Sequence, residues 1–88
     1  MMRLISTATQ LSHALRSARK AKGLSQAEAG RLVGLLPKTI SALENRPGSA
    51  SIDSLLKLLS ALSLELVIDR KILGEDQSKE IDSAAEEW

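Results

Sequence analysis

The sequence predicts a mainly α-helical fold, in which a bundle of four short helices is followed by one β-strand. Apolar residues recur every three or four positions from Thr9 to Leu62, which is the spacing of one helix face. Glycine, proline and serine interrupt this stretch where helices would end or begin. From Leu64 to Asp69 the apolar residues alternate with others instead, as they do in a half-buried strand.

The first predicted helix runs from about Thr9 to Lys22. Its apolar stripe consists of Leu11, Ala14, Leu15, Ala18 and the aliphatic stem of Lys22. Gly23 ends the helix, because glycine readily takes the left-handed conformation found just after helix C-termini. The polar face carries His13, Arg16 and Lys20, and for these side chains we expect ordinary solvation.

The segment from Ser25 to Glu44 predicts two short helices joined at a fixed angle, a helix-turn-helix. The Ser25 hydroxyl caps a helix over residues 26–33 by accepting a hydrogen bond from a first-turn N–H. Gly34 supplies the left-handed residue that ends this helix. Pro37 stands at the first position of the next helix, where a missing N–H costs nothing.

The third helix has two chemically different faces. Ile40 and Leu43 lie three residues apart and point inward. The opposite face is small, polar or cationic and consists of Lys38, Ser41, Ala42 and Asn45. A merely solvated face has a similar composition, but the preceding turn and the basic charge of this half of the chain favour a surface that enters a DNA groove.

Charge is divided unevenly along the chain, although the formal net charge of all 88 residues is only +1. Residues 1–48 hold eight lysines and arginines against two glutamates, a net charge of +6. Residues 49–88 hold four against nine acids, a net charge of −5. The basic half suits phosphate, since each neutralised contact releases counterions.

The fourth helix and the strand together predict a dimer. Ser51 caps a helix from Ile52 to about Leu62, whose apolar face is wider than one small core can bury. A solitary strand leaves its backbone groups unpaired, and the simplest partner is the same strand of a second copy related by a twofold axis. The predicted dimerisation residues are Leu64, Leu66 and Ile68.

We expect one domain over residues 1–73, followed by a disordered acidic tail over residues 74–88. The tail has six acids, one lysine and no apolar periodicity, and its last residue, Trp88, is the only aromatic residue of the chain. A terminal tryptophan is either disordered and without a binding role, or it is an anchor that docks into a partner's pocket. We favour the anchor.

Composition argues against several kinds of site. The chain has no cysteine and one histidine, which excludes disulfides and gives no ligand set for zinc, and we expect no cofactor. Glu28 and Glu44 make a poor catalytic pair because an acid in a first helical turn suits the helix dipole, so we predict no enzyme. No segment has the apolar run of a signal peptide or a membrane span, and a cytoplasmic protein is expected.

The residues of the predicted helix-turn-helix resemble the lambda-repressor-like, Cro/C1-type family. The residues that match its pattern are Ser25, Gln26, Gly34, Ile40, Ser41 and Glu44. This likeness spans about residues 9–62 and implies that family's helical bundle.

Within that family the chain looks most like the HipB antitoxins. They share the opening Thr9, Gln10 and Leu11, the strand after the fourth helix, and a polar tail that ends in Glu87 and Trp88. Such antitoxins form dimers through that strand, repress their own operon and bind a HipA-type Ser/Thr kinase toxin. The resemblance therefore implies three partners: double-stranded operator DNA, a second copy of the chain and a kinase toxin.

Two other functions remain compatible with the residues. One is a stand-alone repressor of the same fold without a toxin, in which the tail is dispensable. The other is a helical interaction module that never touches DNA, which salt-sensitive binding to its own promoter would exclude.

The resemblance also assigns roles to single residues. It implies that Gln26 and Thr39 lie near DNA phosphates. It implies that Lys38 and Ser41 face base edges, where a lysine favours guanine O6 and N7. The complete set of predicted DNA-binding residues is Gln26, Pro37, Lys38, Thr39, Ser41 and Asn45.

Further implications concern packing and departures from the family. Arg19 should pair with Glu44 and lock the first helix against the recognition helix. Gly30 stands where alanine is usual, which should cost up to about 1 kcal/mol of helix propensity. Leu36 and Pro37 occupy the entry of the recognition helix, where family members often have polar residues.

Overall fold

A computed structural model describes residues 4–71 and contains four α-helices and one short 3₁₀ turn in that range. The helices are α1 (Ala8–Ala21), α2 (Gln26–Val33), α3 (Pro37–Asn45) and α4 (Ile52–Ala61), and the 3₁₀ turn is Pro47–Ser49. The predicted mainly α-helical bundle with a helix-turn-helix is therefore confirmed. None of the helices within residues 4–71 is both long and apolar enough to cross a membrane.

Side-chain caps begin three of the four helices. Ser25 caps α2 as predicted, and its hydroxyl accepts from the Glu28 N–H at 3.0 Å. Glu28 reciprocates, because its carboxylate accepts from the Ser25 N–H at 2.8 Å, and that bond lowers the pKa of Glu28 below its ordinary value. Thr7 and Gln10 form the same reciprocal box at the start of α1, a cap that the apolar pattern did not predict.

Two glycines shape the turn between α2 and α3. Gly34 ends α2 in the predicted left-handed conformation, with φ 73°. Gly30 faces the returning chain so closely that an added Cβ would lie 2.3 Å from the carbonyl oxygen of Leu35. Glycine at position 30 therefore does more than lower helix propensity, because it lets the turn pass directly over α2.

The core lies where α1, α2, α3 and α4 meet. Its buried apolar side chains are Leu15, Ala29, Ile40, Leu43, Leu58, Leu59 and Leu62. Ile40 and Leu43 are both completely buried, which confirms the predicted inward face of α3.

Glu44 is the one charged residue that is buried within residues 4–71, at 1% exposure. Arg19 of α1 holds its carboxylate with two bonds, from Nε to Oε2 at 2.5 Å and from Nη2 to Oε1 at 3.0 Å. Gln26 of α2 adds a third, longer bond from Nε2 at 3.4 Å. A buried carboxylate needs such partners, since an unpaired charge would pay its desolvation cost without compensation. The implied Arg19–Glu44 pair is confirmed.

The main chain of Glu44 is also tied to α1. The Ser12 hydroxyl donates to the Glu44 carbonyl oxygen, and Arg16 Nη2 donates to the same atom at 3.2 Å. A carbonyl in the last turn of a helix has no partner within the helix, so these donors satisfy it. α1 thus fixes the C-terminal end of α3 through both side chain and backbone.

The predicted strand region has no assigned strand in the single chain. Residues 64–71 are neither helix nor strand, and no strand partner exists among residues 4–71. The exposed fractions of Leu64, Leu66 and Ile68 are 39%, 55% and 93%. Pairing across a dimer therefore stays a prediction, and residues 74–88 with Trp88 lie outside the described residues.

We expect Glu44→Ala to lower the free energy of unfolding by about 3 kcal/mol or more, because it strands the guanidinium of Arg19 in a half-buried site without its partner. Urea unfolding followed by circular dichroism measures the loss. Asp53→Ala is the matched control, since its 3.3 Å pair with Lys57 is exposed and such pairs contribute less than about 1 kcal/mol. Equal losses in the two variants would contradict the central role of Glu44.

Candidate nucleic-acid interface

The predicted DNA-binding residues fall on one helix and the start of its neighbour. Pro37, Lys38 and Asn45 are exposed on α3, whereas Thr39 and Ser41 are half-buried. The sixth, Gln26, is the half-buried first residue of α2, and its amide contacts Glu44 of α3. The structure thus brings the six residues onto two packed helices.

Lys38 is the most available cation of this surface. It lies exposed in the first turn of α3 and makes no hydrogen bond or ion pair within residues 4–71. An ammonium on a flexible stem can reach acceptor atoms on a base edge or a phosphate. Nothing in the described fold needs this charge.

Asn45 is committed to contacts within the protein. Its Nδ2 donates to the Ser41 carbonyl at 2.8 Å and to the Ser41 hydroxyl at 3.1 Å. Its Oδ1 accepts from Arg16 Nη2 at 2.8 Å. The amide therefore braces the exposed end of α3, and the Ser41 hydroxyl keeps its own proton for another acceptor.

Arg16 corrects one of the sequence predictions. The prediction of ordinary solvation is wrong for this residue. Its side chain is only 36% exposed and forms hydrogen bonds with both Glu44 and Asn45. His13 and Lys20 of the same helix are exposed, as predicted. The available signal was spacing: Arg16 stands three residues before Arg19, so both face the same neighbour from α1.

Arg19, which holds the Glu44 carboxylate beneath this surface, stays charged. The hydrogen bonds that Arg19 donates to the Glu44 carboxylate, more than the charge of that carboxylate alone, raise the pKa of Arg19, while burial acts in the opposite sense. Arg19 also donates from Nη1 to the Leu24 carbonyl at 2.9 Å, which ties the chain before α2 to the same guanidinium. A permanently charged Arg19 keeps α1, α2 and α3 in one arrangement.

The start of α3 differs from an ordinary helix start. Leu36 is the N-cap and makes no side-chain cap, although its carbonyl accepts from the Thr39 N–H at 2.9 Å. Pro37 follows with no N–H to offer.

Within residues 4–71, no three side chains of the metal-ligating types come together.

Comparison with protein families and curated proteins gives a consistent result. The family model described as helix-turn-helix matches residues 15–68. Antitoxin HipB of Escherichia coli O6:H1 is 33% identical over 60 residues, which cover 68% of this chain and 64% of that protein. Antitoxin HipB of Escherichia coli K12 is 32% identical over 60 residues, which cover 68% of each protein. The match therefore spans slightly less than two thirds of the first of these relatives.

Solved structures agree in three dimensions. A HipB variant in an O2 20-mer complex has a TM-score of 0.75 and 32% identity, covering 81% of this chain and all of that one. A HipA-HipB-O2-O3 complex gives a TM-score of 0.74 and 31% identity, covering 80% of this chain and all of the matched chain.

Matches of this extent in sequence and in fold confirm the resemblance that the motif residues suggested, and they agree with the expectation that the chain is not an enzyme. The chain belongs to the helix-turn-helix family and, within it, to the HipB antitoxins.

Proposed function

We propose that this chain acts as a homodimer that represses its own toxin–antitoxin operon and neutralises a HipA-type Ser/Thr kinase toxin. The observation that carries the proposal is the exposed face of α3, which the buried Arg19–Glu44 pair holds in a fixed position. A rigidly mounted helix with a free lysine near its N-terminus suits the major groove, because the N-terminal residues of a recognition helix contact base edges.

The proposed contacts divide by chemistry. Lys38 and Ser41 read base edges, and Pro37 lies against the same groove. Gln26 and Thr39, both half-buried, contact phosphates at the rim. Asn45 belongs to this surface chiefly as a brace, because its amide is already bonded to Ser41 and Arg16.

Dimerisation is supported by apolar surface that one chain leaves uncovered. Leu64 and Leu66 line a shallow groove together with Leu56 and Leu59 of α4. Leu56 is 45% exposed and Ile68 is 93% exposed. A second copy would cover this groove and supply the missing strand partner, which makes Leu64, Leu66 and Ile68 the proposed dimer contacts.

The proposal of a toxin partner is supported by the chain's similarity to HipB. A HipA-HipB-O2-O3 complex is among the solved structures that share this fold. We assign the acidic tail over residues 74–88, with Trp88 as its anchor, to this partner, because its charge does not suit phosphate.

Lys38→Ala should weaken binding to a duplex from the chain's own promoter by about 1 to 3 kcal/mol, because it removes one base-edge contact per half-site. Fluorescence anisotropy over a series of salt concentrations measures this loss. Lys57→Ala removes another exposed lysine, on α4, and should bind nearly as the parent does. If the lysine variants bound alike, α3 would not be the reading helix, and an affinity independent of salt would argue against phosphate contacts altogether.

Leu66→Asp should convert the dimer to a monomer at micromolar concentration, because it places a charge in the apolar layer between the copies. Sedimentation velocity gives the mass, and circular dichroism checks that the four helices persist. Val67→Asp makes the same change at a neighbouring residue that is 66% exposed and lies on the other face of the predicted strand. An intact Leu66→Asp dimer would exclude this interface.

Trp88→Ala should weaken binding of the co-encoded kinase toxin by about 2 kcal/mol or more, as expected for a buried aromatic anchor, and leave DNA affinity unchanged. Calorimetric titration with the purified toxin and anisotropy with the duplex separate the two effects. Toxin binding that survives both this change and removal of residues 74–88 would assign the toxin contact to the folded domain. Absence of any toxin gene beside this one would favour the stand-alone repressor.

A further inference from the structure

Two apolar residues stand at the exposed start of α3, where the fold gains little from them. Leu36 is 60% exposed, although it is a large aliphatic residue, and it takes no part in the buried core. As the N-cap it makes no side-chain hydrogen bond, a task that serine, threonine, asparagine or aspartate performs at most helix starts. The side chain of Leu36 therefore serves neither packing nor capping.

Pro37 extends this apolar surface. It is exposed at the first helical position and has no N–H, so this end of α3 lacks one of the donors with which helix N-termini usually bind phosphate. The next residue, Lys38, is exposed and has no polar partner within residues 4–71. The tip of the helix thus offers hydrocarbon beside a single cation.

This combination matches one feature of DNA chemistry. Among the four bases only thymine presents a methyl group in the major groove, and apolar side chains recognise it by contact. A lysine recognises the acceptors O6 and N7 of guanine. Leu36 is the extended N-cap two residues before Lys38, so the Cα atoms of the two residues lie within about 7 Å of each other, the length of about two base-pair steps.

We propose that Leu36 is a specificity-determining residue that reads the methyl group of a thymine in each operator half-site, next to a guanine read by Lys38. This inference rests on the proposed DNA-binding function and adds the base that the helix selects. The leucine contributes through contact of its exposed methyl groups, so it discriminates thymine from uracil as well as from the other bases.

The test uses a duplex that the full-length chain enriches from a random DNA pool. Each thymine of that duplex is replaced in turn by deoxyuridine, which removes only the methyl group. In each half-site we expect one thymine, adjacent to a guanine, whose replacement lowers affinity about fourfold. Replacing this thymine in both half-sites should lower affinity about fifteenfold. Leu36→Ala should bind the thymine duplex as weakly as the parent binds the uracil duplex, and should no longer distinguish the two.

Leu32→Ala is the matched control, because Leu32 is a leucine of α2 with 63% exposure and has no assigned contact with DNA. It should keep the parent's sensitivity to deoxyuridine. A duplex with no sensitive thymine, or a Leu36→Ala chain that retains the sensitivity, would overturn the inference, while loss of affinity in Lys38→Ala would still support DNA reading by α3. Failure to enrich any duplex would overturn both proposals.

Discussion

The buried carboxylate of Glu44 is the constraint on which the arrangement of the helices depends. At 1% exposure it must be neutralised inside the protein, and Arg19 does so with two hydrogen bonds. The same guanidinium holds the Leu24 carbonyl, and Gln26 reaches the same carboxylate from α2. One charge pair therefore connects α1, the loop after it, α2 and α3, so none of these elements can shift alone without exposing an unpaired charge.

The position of the proposed DNA-binding surface follows from this constraint. Because Ile40, Leu43 and Glu44 occupy the inward side of α3, the side that faces away from the core carries the exposed Lys38 and Asn45. The outward residues are not equivalent, however. Asn45 is bonded to Ser41 and Arg16 and stiffens the end of the helix, whereas Lys38 has no partner within residues 4–71 and remains free to bind. The bracing contacts and the proposed recognition residue thus lie at opposite ends of α3.

Within the described residues the core is well covered, whereas apolar side chains that follow α4 are exposed. The seven core residues are nearly fully buried, yet the segment after Ser63 leaves Leu66 and Ile68 more than half exposed. Leu64 and Leu66 of this segment border a groove that α4 lines from the other side. A surface of this kind, joined to a segment with an alternating pattern, is the physical basis for proposing a second copy as its cover.

The sequence by itself determined the local structure, because helix periodicity, the Ser25 cap, the left-handed Gly34 and the inward Ile40 depend on residues within a few positions of one another. It also located the exposed lysine of α3, while the Arg19–Glu44 pair was reached only through family resemblance. Tertiary structure alone decided the rest. Arg16 and Asn45 are 29 positions apart, and their bond exists only because α1 packs on α3. Gly30 is needed only because the Leu35 carbonyl passes where a Cβ would lie, a close approach that no local pattern encodes. Contacts of this kind are set by how helices pack, which the composition of any single helix leaves open.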